Sequence, residues 1–81
     1  MANRERRAST ADNYLRDLGY LVSERALKAK EEATSNPGDF ARGQLMAFYE
    51  VVSLMQSQAD AFGMPFERLS LDRIDPERDL I

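Results

Sequence analysis

The chain has 81 residues, of which 43% are hydrophobic and 31% are charged, and its formal net charge is −3 at pH 7. It contains neither cysteine nor histidine, which excludes a disulfide framework and the usual zinc sites, so we expect no metal or other cofactor. A chain this short buries only about 60% of the surface that its unfolded form exposes, and self-association is the remaining way to gain stability.

The acidic balance argues against a nucleic-acid binder, which usually carries a basic excess. The exception is a basic segment at residues 1–8, where Arg4, Arg6 and Arg7 are candidate phosphate contacts. No apolar run approaches the roughly 20 residues that span a bilayer, and no apolar signal segment follows the arginines. We therefore expect no membrane association and a cytoplasmic location.

A first helix is predicted over residues 9–35, because its apolar residues recur at intervals of three and four. Ser9 and Asp12 resemble a capping pair at its start, although good helix formers from Asn3 onward leave an earlier start open. The apolar positions are Ala11, Tyr14, Leu15, Leu18, Leu21, Val22, Ala26, Ala29 and Ala33.

The helix is interrupted at residues 36–38, Asn-Pro-Gly, where the proline cannot continue a helix and the glycine permits a reversal. A second helix is predicted over residues 39–62, with Asp39 as its N-cap. Gly63 suits the left-handed position after a helix, and Met64 would then contact Ala59 in a Schellman-type end.

Two helices of similar length joined by a short turn predict an antiparallel hairpin. Counting outward from the turn places Leu18 near Met55 and Gly19 near Leu54. Other pairs expected at the same heights are Ala29 with Gln44, Val22 with Val51, and Ala11 with Phe62.

The apolar stripe of the second helix is its most informative feature, because it covers about half the circumference instead of the usual ~100°. We expect the side near Ala47 and Leu54 to pack on the first helix. The other side is the predicted dimer or partner interface, formed by Leu45, Phe48, Val52, Met55, Ala59 and Phe62. The C-terminal arm is its intramolecular rival for this surface, and which side faces which stays open.

Residues 63–81 form a C-terminal arm that is too apolar for a disordered tail. Pro65–Leu69 is expected to form one helical turn, and Asp75-Pro76-Glu77 has the N-cap, proline and acid order of a helix start. Whether the arm covers its own hairpin or a second subunit stays open at this stage.

Gln44 and Gln58 fall inside the stripe, two heptads apart, and Arg25 lies at the edge of the first helix's stripe. They either set the register of a bundle, as polar core residues do, or lie where the stripes meet solvent. Tyr20, Leu27, Met46 and Tyr49 lie off the stripes and are candidates for an outer contact surface.

No catalytic constellation is found: serine nucleophiles lack a histidine base, and the adjacent Glu31 and Glu32 point about 100° apart on a helix. We expect a non-enzymatic, all-α protein without a small-molecule substrate, in which two hairpins pair into a homodimeric four-helix bundle. Such a module would act as an adaptor or regulatory subunit. An acidic partner-binding protein of the antitoxin, immunity-protein or secretion-chaperone type is the alternative, and a nucleic-acid-associated regulator using the arginines is the third hypothesis.

Overall fold

The computed structural model describes the backbone of residues 2–81 and the side chains of residues 9–81. These residues form two long helices, α1 (Ala2–Ser35) and α2 (Asp39–Ala61), followed by a 3₁₀ turn (Phe66–Leu69) and a short helix, α3 (Pro76–Asp79). The described part of the chain contains no strand. The all-α helical hairpin with a partly helical C-terminal arm is therefore confirmed for a single chain.

Helix α1 begins at Ala2, well before residue 9. Ser9 is therefore not the N-cap, and the earlier start that the helix formers from Asn3 onward left open is the observed one. Asp12 instead forms an ion pair with Arg68 of the arm, at 3.2 Å between Oδ1 and the guanidinium. Both side chains are roughly half exposed, so this pair contributes little to stability.

The turn ends α1 as expected, and the N–H of Asn36 donates to the carbonyl of Glu32 at 2.8 Å. Gly38, rather than Asp39, is the N-cap of α2, and no side chain caps this end. Asp39 is the first helical residue, and its carboxylate accepts a 2.8 Å hydrogen bond from Arg42 one turn later. The acid still lies at the positive end of the helix dipole, one position later than predicted.

The end of α2 follows the predicted Schellman pattern. Gly63 adopts a left-handed φ of 67°, which a residue with a side chain rarely tolerates. The N–H of Met64 donates to the carbonyl of Ala59 at 2.8 Å, and the N–H of Gly63 donates to that of Asp60 at 3.0 Å. This turn redirects the chain so that the arm runs back along the hairpin.

The arm lies along one face of the hairpin of its own chain, and its main chain makes close contacts with both helices. On α1, Gly19 lies so close to the arm that a Cβ built on it would be 1.7 Å from the carbonyl oxygen of Leu69. On α2, the amide of Gln56 donates to the carbonyls of Leu71 and Ile74, at 3.1 and 2.9 Å. Gly19 therefore accommodates the main chain of the arm.

The C-terminal end of the arm accepts hydrogen bonds from both long helices. Tyr49 of α2 donates its hydroxyl to the carboxylate of Glu77, and Lys30 of α1 donates to the main-chain oxygen of Ile81. Helix α3 itself starts as predicted: the N-cap carboxylate of Asp75 accepts from the N–H of Glu77 at 3.0 Å.

The core lies between the hairpin and the arm. Four of its seven buried residues come from the arm, and they pack on small or β-branched positions of the two helices. The cluster consists of Ala26, Val52, Ala59, Leu69, Leu71, Ile74 and Leu80. The arm is therefore the second layer that a two-helix hairpin needs in order to bury one face.

Candidate interaction surface

The predicted interface of α2 lies mostly on the side that the arm covers. Val52 and Ala59 are buried inside the chain's own core, and Leu45, Phe48 and Met55 pack against that core. A partner can reach Val52 or Ala59 only if the arm leaves. Of the six residues in the predicted interface, Phe62 is the one that is mostly exposed, at 76%.

The opposite side of α2 is the exposed one. Leu54 is 65% exposed and Val51 is 42% exposed, although both were expected to contact α1 or to lie beside it. Leu54 lies two residues before Gln56, and successive helical residues turn by ~100°, so the two side chains point in nearly opposite directions. Because Gln56 holds the arm, Leu54 faces away from it. The arm thus covers the Val52 side of the stripe, for which it was one of the two candidate covers, and the Leu54 side is left exposed.

The exposed side of α2 carries an apolar seam with a coiled-coil spacing. Seven residues follow one another at alternating intervals of four and three, and every one of them is exposed in the single chain. They are Phe40, Gln44, Ala47, Val51, Leu54, Gln58 and Ala61. The intervals are readable from the sequence, but the wide stripe obscured them because a second apolar series runs beside them.

Helix α1 contributes an exposed apolar segment to the same face. Leu21 follows Gly19 by two residues, so it points away from the arm, and it is 54% exposed. Its spacing from its neighbours again alternates between four and three, in the series Tyr14, Leu18, Leu21, Arg25, Lys28 and Glu32. The first three of these residues are apolar and the last three are charged.

A groove joins the two helices near the end away from the turn. It has a volume of about 310 Å³, and Leu15 and Leu18 of α1 line it opposite Leu54 and Phe62 of α2. Leu18 and Leu54 therefore lie in the same region along the hairpin. We use the name open face for eight exposed apolar residues on the side of the hairpin away from the arm: Tyr14, Leu18, Leu21, Phe40, Ala47, Val51, Leu54 and Phe62.

The polar candidates divide into two groups. Gln44, Gln58 and Arg25 are exposed, and the first two belong to the seam, so their role in register stays a prediction. Gln56, which the sequence analysis did not single out, is the polar residue that joins the arm to α2 by hydrogen bonds. Arg4, Arg6 and Arg7 lie outside the residues whose side chains the structure describes, and their proposed phosphate contacts are not tested.

Two further grooves flank the arm and contain the candidates for an outer contact surface. Tyr20 and Leu27 line one of about 480 Å³ beside Ser23, whose buried hydroxyl oxygen has no hydrogen-bond partner. Met46 and Tyr49 line the other, of about 560 Å³, beside the end of the arm. The hydrogen bond to Glu77 raises the pKa of Tyr49, because ionisation would place a phenolate beside a carboxylate.

Among the residues that the structure describes, no three acidic side chains are grouped closely enough to hold a metal ion. Over that same part of the chain, neither long helix combines the length and apolarity that a bilayer crossing requires. Comparison with protein families, with curated proteins and with solved structures gives no match for this chain. The open face is the feature from which a function can be argued.

Proposed function

We propose that this chain is a non-enzymatic interaction module that forms a homodimeric four-helix bundle through its open face, and that the bundle serves as an adaptor or regulatory subunit. The observation that carries the proposal is the coiled-coil spacing of exposed residues on α2, on the side that the arm leaves uncovered. In this arrangement each hairpin has the arm on one side and a second hairpin on the other.

The surface area of the chain supports the proposal. A compact monomer of 9.2 kDa would expose about 4,900 Å² by the usual relation between mass and surface, whereas this chain exposes 6229 Å². Each subunit of a standard interface buries roughly 600–1,000 Å². The excess of about 1,300 Å² is larger than the share of one subunit in such an interface. Part of this excess belongs to the extra length of α1, which has 34 residues against 23 in α2.

The shape of the chain fits the same arrangement. Its extents are 53 × 20 × 17 Å, so it is long and flat. Its two long helices share one uncovered side, and stacking two such layers gives the cross-section of a four-helix bundle. A two-fold interface requires one self-complementary patch, which is the simplest way to cover this face.

The test is the oligomeric state of Leu54→Asp beside a matched control, Ser57→Asp, measured by sedimentation over a range of concentrations. Ser57 is exposed on the same helix but lies outside the seam. Because both subunits of the dimer carry the substitution, Leu54→Asp removes two leucine side chains from the interface. Each buried leucine contributes about 1.5–3 kcal/mol to dimerisation. We expect at least about 100-fold weaker dimerisation for Leu54→Asp and a control that dimerises as the wild type does.

Both variants should keep the helical content of the wild type, because Leu54 is mostly exposed in the single chain. A wild-type chain that stays monomeric at high concentration would refute the homodimer. It would favour the alternative of an acidic protein whose open face receives a different protein. A substitution of Val52 would not separate these outcomes, because Val52 is fully buried and its loss would unfold the chain.

A further inference from the structure

We propose that the two copies meet in an antiparallel, face-to-face arrangement, with α2 on α2 and α1 on α1, and with a two-fold axis that passes between Val51 and Leu54. This inference rests on the homodimer proposed above and specifies its orientation and register. Four sets of observations carry it: the order of residues in the α2 seam, their exposure, the matching order in α1, and the heights of the two series along the hairpin.

The α2 seam is self-complementary in size around one point. At the centre, Val51 packs on Leu54 of the second copy, and the symmetry repeats this contact. One step outward, Gln58 meets Ala47 of the second copy. In the next layer, Ala61 meets Gln44 of the second copy. Each long glutamine thus faces a small alanine, while the two central layers are fully apolar.

The exposure of the seam agrees with this order of layers. All of its members are exposed in the single chain, so none must leave the intramolecular core in order to pair. The glutamines lie outside the two central apolar layers and face alanines, whose small side chains leave space for the amides to keep their hydrogen bonds. This gives Gln44 and Gln58 a role in setting the register.

Helix α1 shows the same symmetry. In an antiparallel pair of α1 helices, Leu18 packs on Leu21 of the second copy, again twice. The next layer outward places the Tyr14 ring against the Arg25 guanidinium of the second copy, a contact that a cation–π interaction favours. The charged half of one α1 then lies along the apolar half of the other, which keeps Arg25 of one copy away from Arg25 of the second.

The two symmetry points lie at nearly the same height. Leu18 and Leu54 line one groove, and Arg25 and Lys28 line another with Gln44 and Phe48. Residues that line the same groove lie at similar heights along the hairpin. The midpoint between Leu18 and Leu21 therefore lies at the height of the midpoint between Val51 and Leu54, to within about two residues or 3 Å. A single two-fold axis perpendicular to the helices therefore satisfies both series at once.

The competing arrangement has its two-fold axis parallel to the helices, so that α1 of one copy lies on α2 of the other. It would place Arg25 and Lys28 of one copy near Gln44 and Ala47 of the other. The α1 series would then pack on the α2 series, and neither series would pack on its own equivalent in the second copy. The two arrangements predict different distances between equivalent residues of the two copies.

The test uses pulsed electron spin resonance on two single-cysteine variants, Arg42→Cys and Ser57→Cys, each carrying a nitroxide. The chain has no native cysteine, and both positions are exposed outside the seam. At 1.5 Å per residue, the antiparallel register separates the two copies along the axis by about 30 Å at residue 42 and about 14 Å at residue 57.

We expect the mean distance at residue 42 to exceed that at residue 57 by roughly 15 Å. Equal distances at the two positions would overturn the proposal, because an axis parallel to the helices gives no axial offset. The labelled chains are first checked for dimerisation by sedimentation. A dimer with equal distances refutes the orientation alone, whereas a monomer refutes the proposed function and this inference together.

Discussion

The contact between Gly19 and Leu69 allows a sharp test of the position of the arm, through Gly19→Ala. An alanine Cβ at this position would lie 1.7 Å from the Leu69 carbonyl oxygen, where an ordinary contact needs at least 3.4 Å. The arm must therefore move by at least about 1.7 Å, and no rotamer change can relieve the overlap because the oxygen belongs to the main chain.

The expected magnitude follows from three contributions. Overpacking costs about 1–3 kcal/mol, and displacement of the arm reduces the burial of Leu69, which contributes about 1.5–3 kcal/mol when complete. Replacing a mid-helix glycine by alanine returns about 0.8–1.0 kcal/mol. We expect a net loss of about 1–3 kcal/mol in the free energy of unfolding.

The chain supplies a matched control in Gly43→Ala. Gly43 is also helical, but a Cβ built on it meets nothing within 4 Å. This variant should gain up to about 1 kcal/mol from helix propensity alone. Urea unfolding, followed by circular dichroism at one fixed protein concentration, measures both, and the two glycine variants should shift the midpoint in opposite directions. If Gly19→Ala stabilises the chain as Gly43→Ala does, the arm does not lie on α1 at this position.

Two other predictions concern the arm. Gln56→Ala leaves the carbonyls of Leu71 and Ile74 without their donor, so it should lower the free energy of unfolding by about 1–3 kcal/mol and speed hydrogen exchange in the arm. The control Ser57→Ala should change the free energy of unfolding by less than about 0.5 kcal/mol, and equal effects of the two variants would contradict the role of Gln56. Hydrogen bonds from Arg78 and from the N–H of Asp75 lower the pKa of Asp79 from 3.8 to about 2. The stabilisation is therefore present above about pH 4 and is lost as the pH falls through about 2. A carboxyl titration by NMR checks this, and Arg78→Ala should raise the pKa of Asp79; an unchanged value would show that the ion pair is absent.

The ends of the helices were largely predictable because local chemistry determines them. Pro37 ends α1, Gly63 takes the left-handed conformation after α2, and Pro76 after an Asp75 cap starts α3. Each of these signals acts within a few residues of its own position. The start of α1 stayed open between Ser9 and an earlier position, because Ser9 can cap a helix but does not prevent an earlier turn from forming.

The path of the arm could not be predicted in the same way. Both sides of the α2 stripe are apolar, so hydrophobicity alone does not decide which side the arm covers. Contacts of the arm's main chain determine its position. One carbonyl of the arm lies against Gly19, and two others accept hydrogen bonds from Gln56. Many helices contain a glycine in their interior or a glutamine beside an apolar stripe without any such contact. The two residues can therefore be interpreted only once the arm is in place.

In the proposed dimer, the open face of one chain packs on the open face of another. Isotope-filtered NMR on a mixture of ¹³C-labelled and unlabelled chains measures this directly, because it detects contacts between copies only. We predict intermolecular signals between the methyl groups of Val51 and Leu54, and between those of Leu18 and Leu21. Intermolecular signals confined to residues beneath the arm, such as Val52, or no intermolecular signals at millimolar concentration, would contradict the claim.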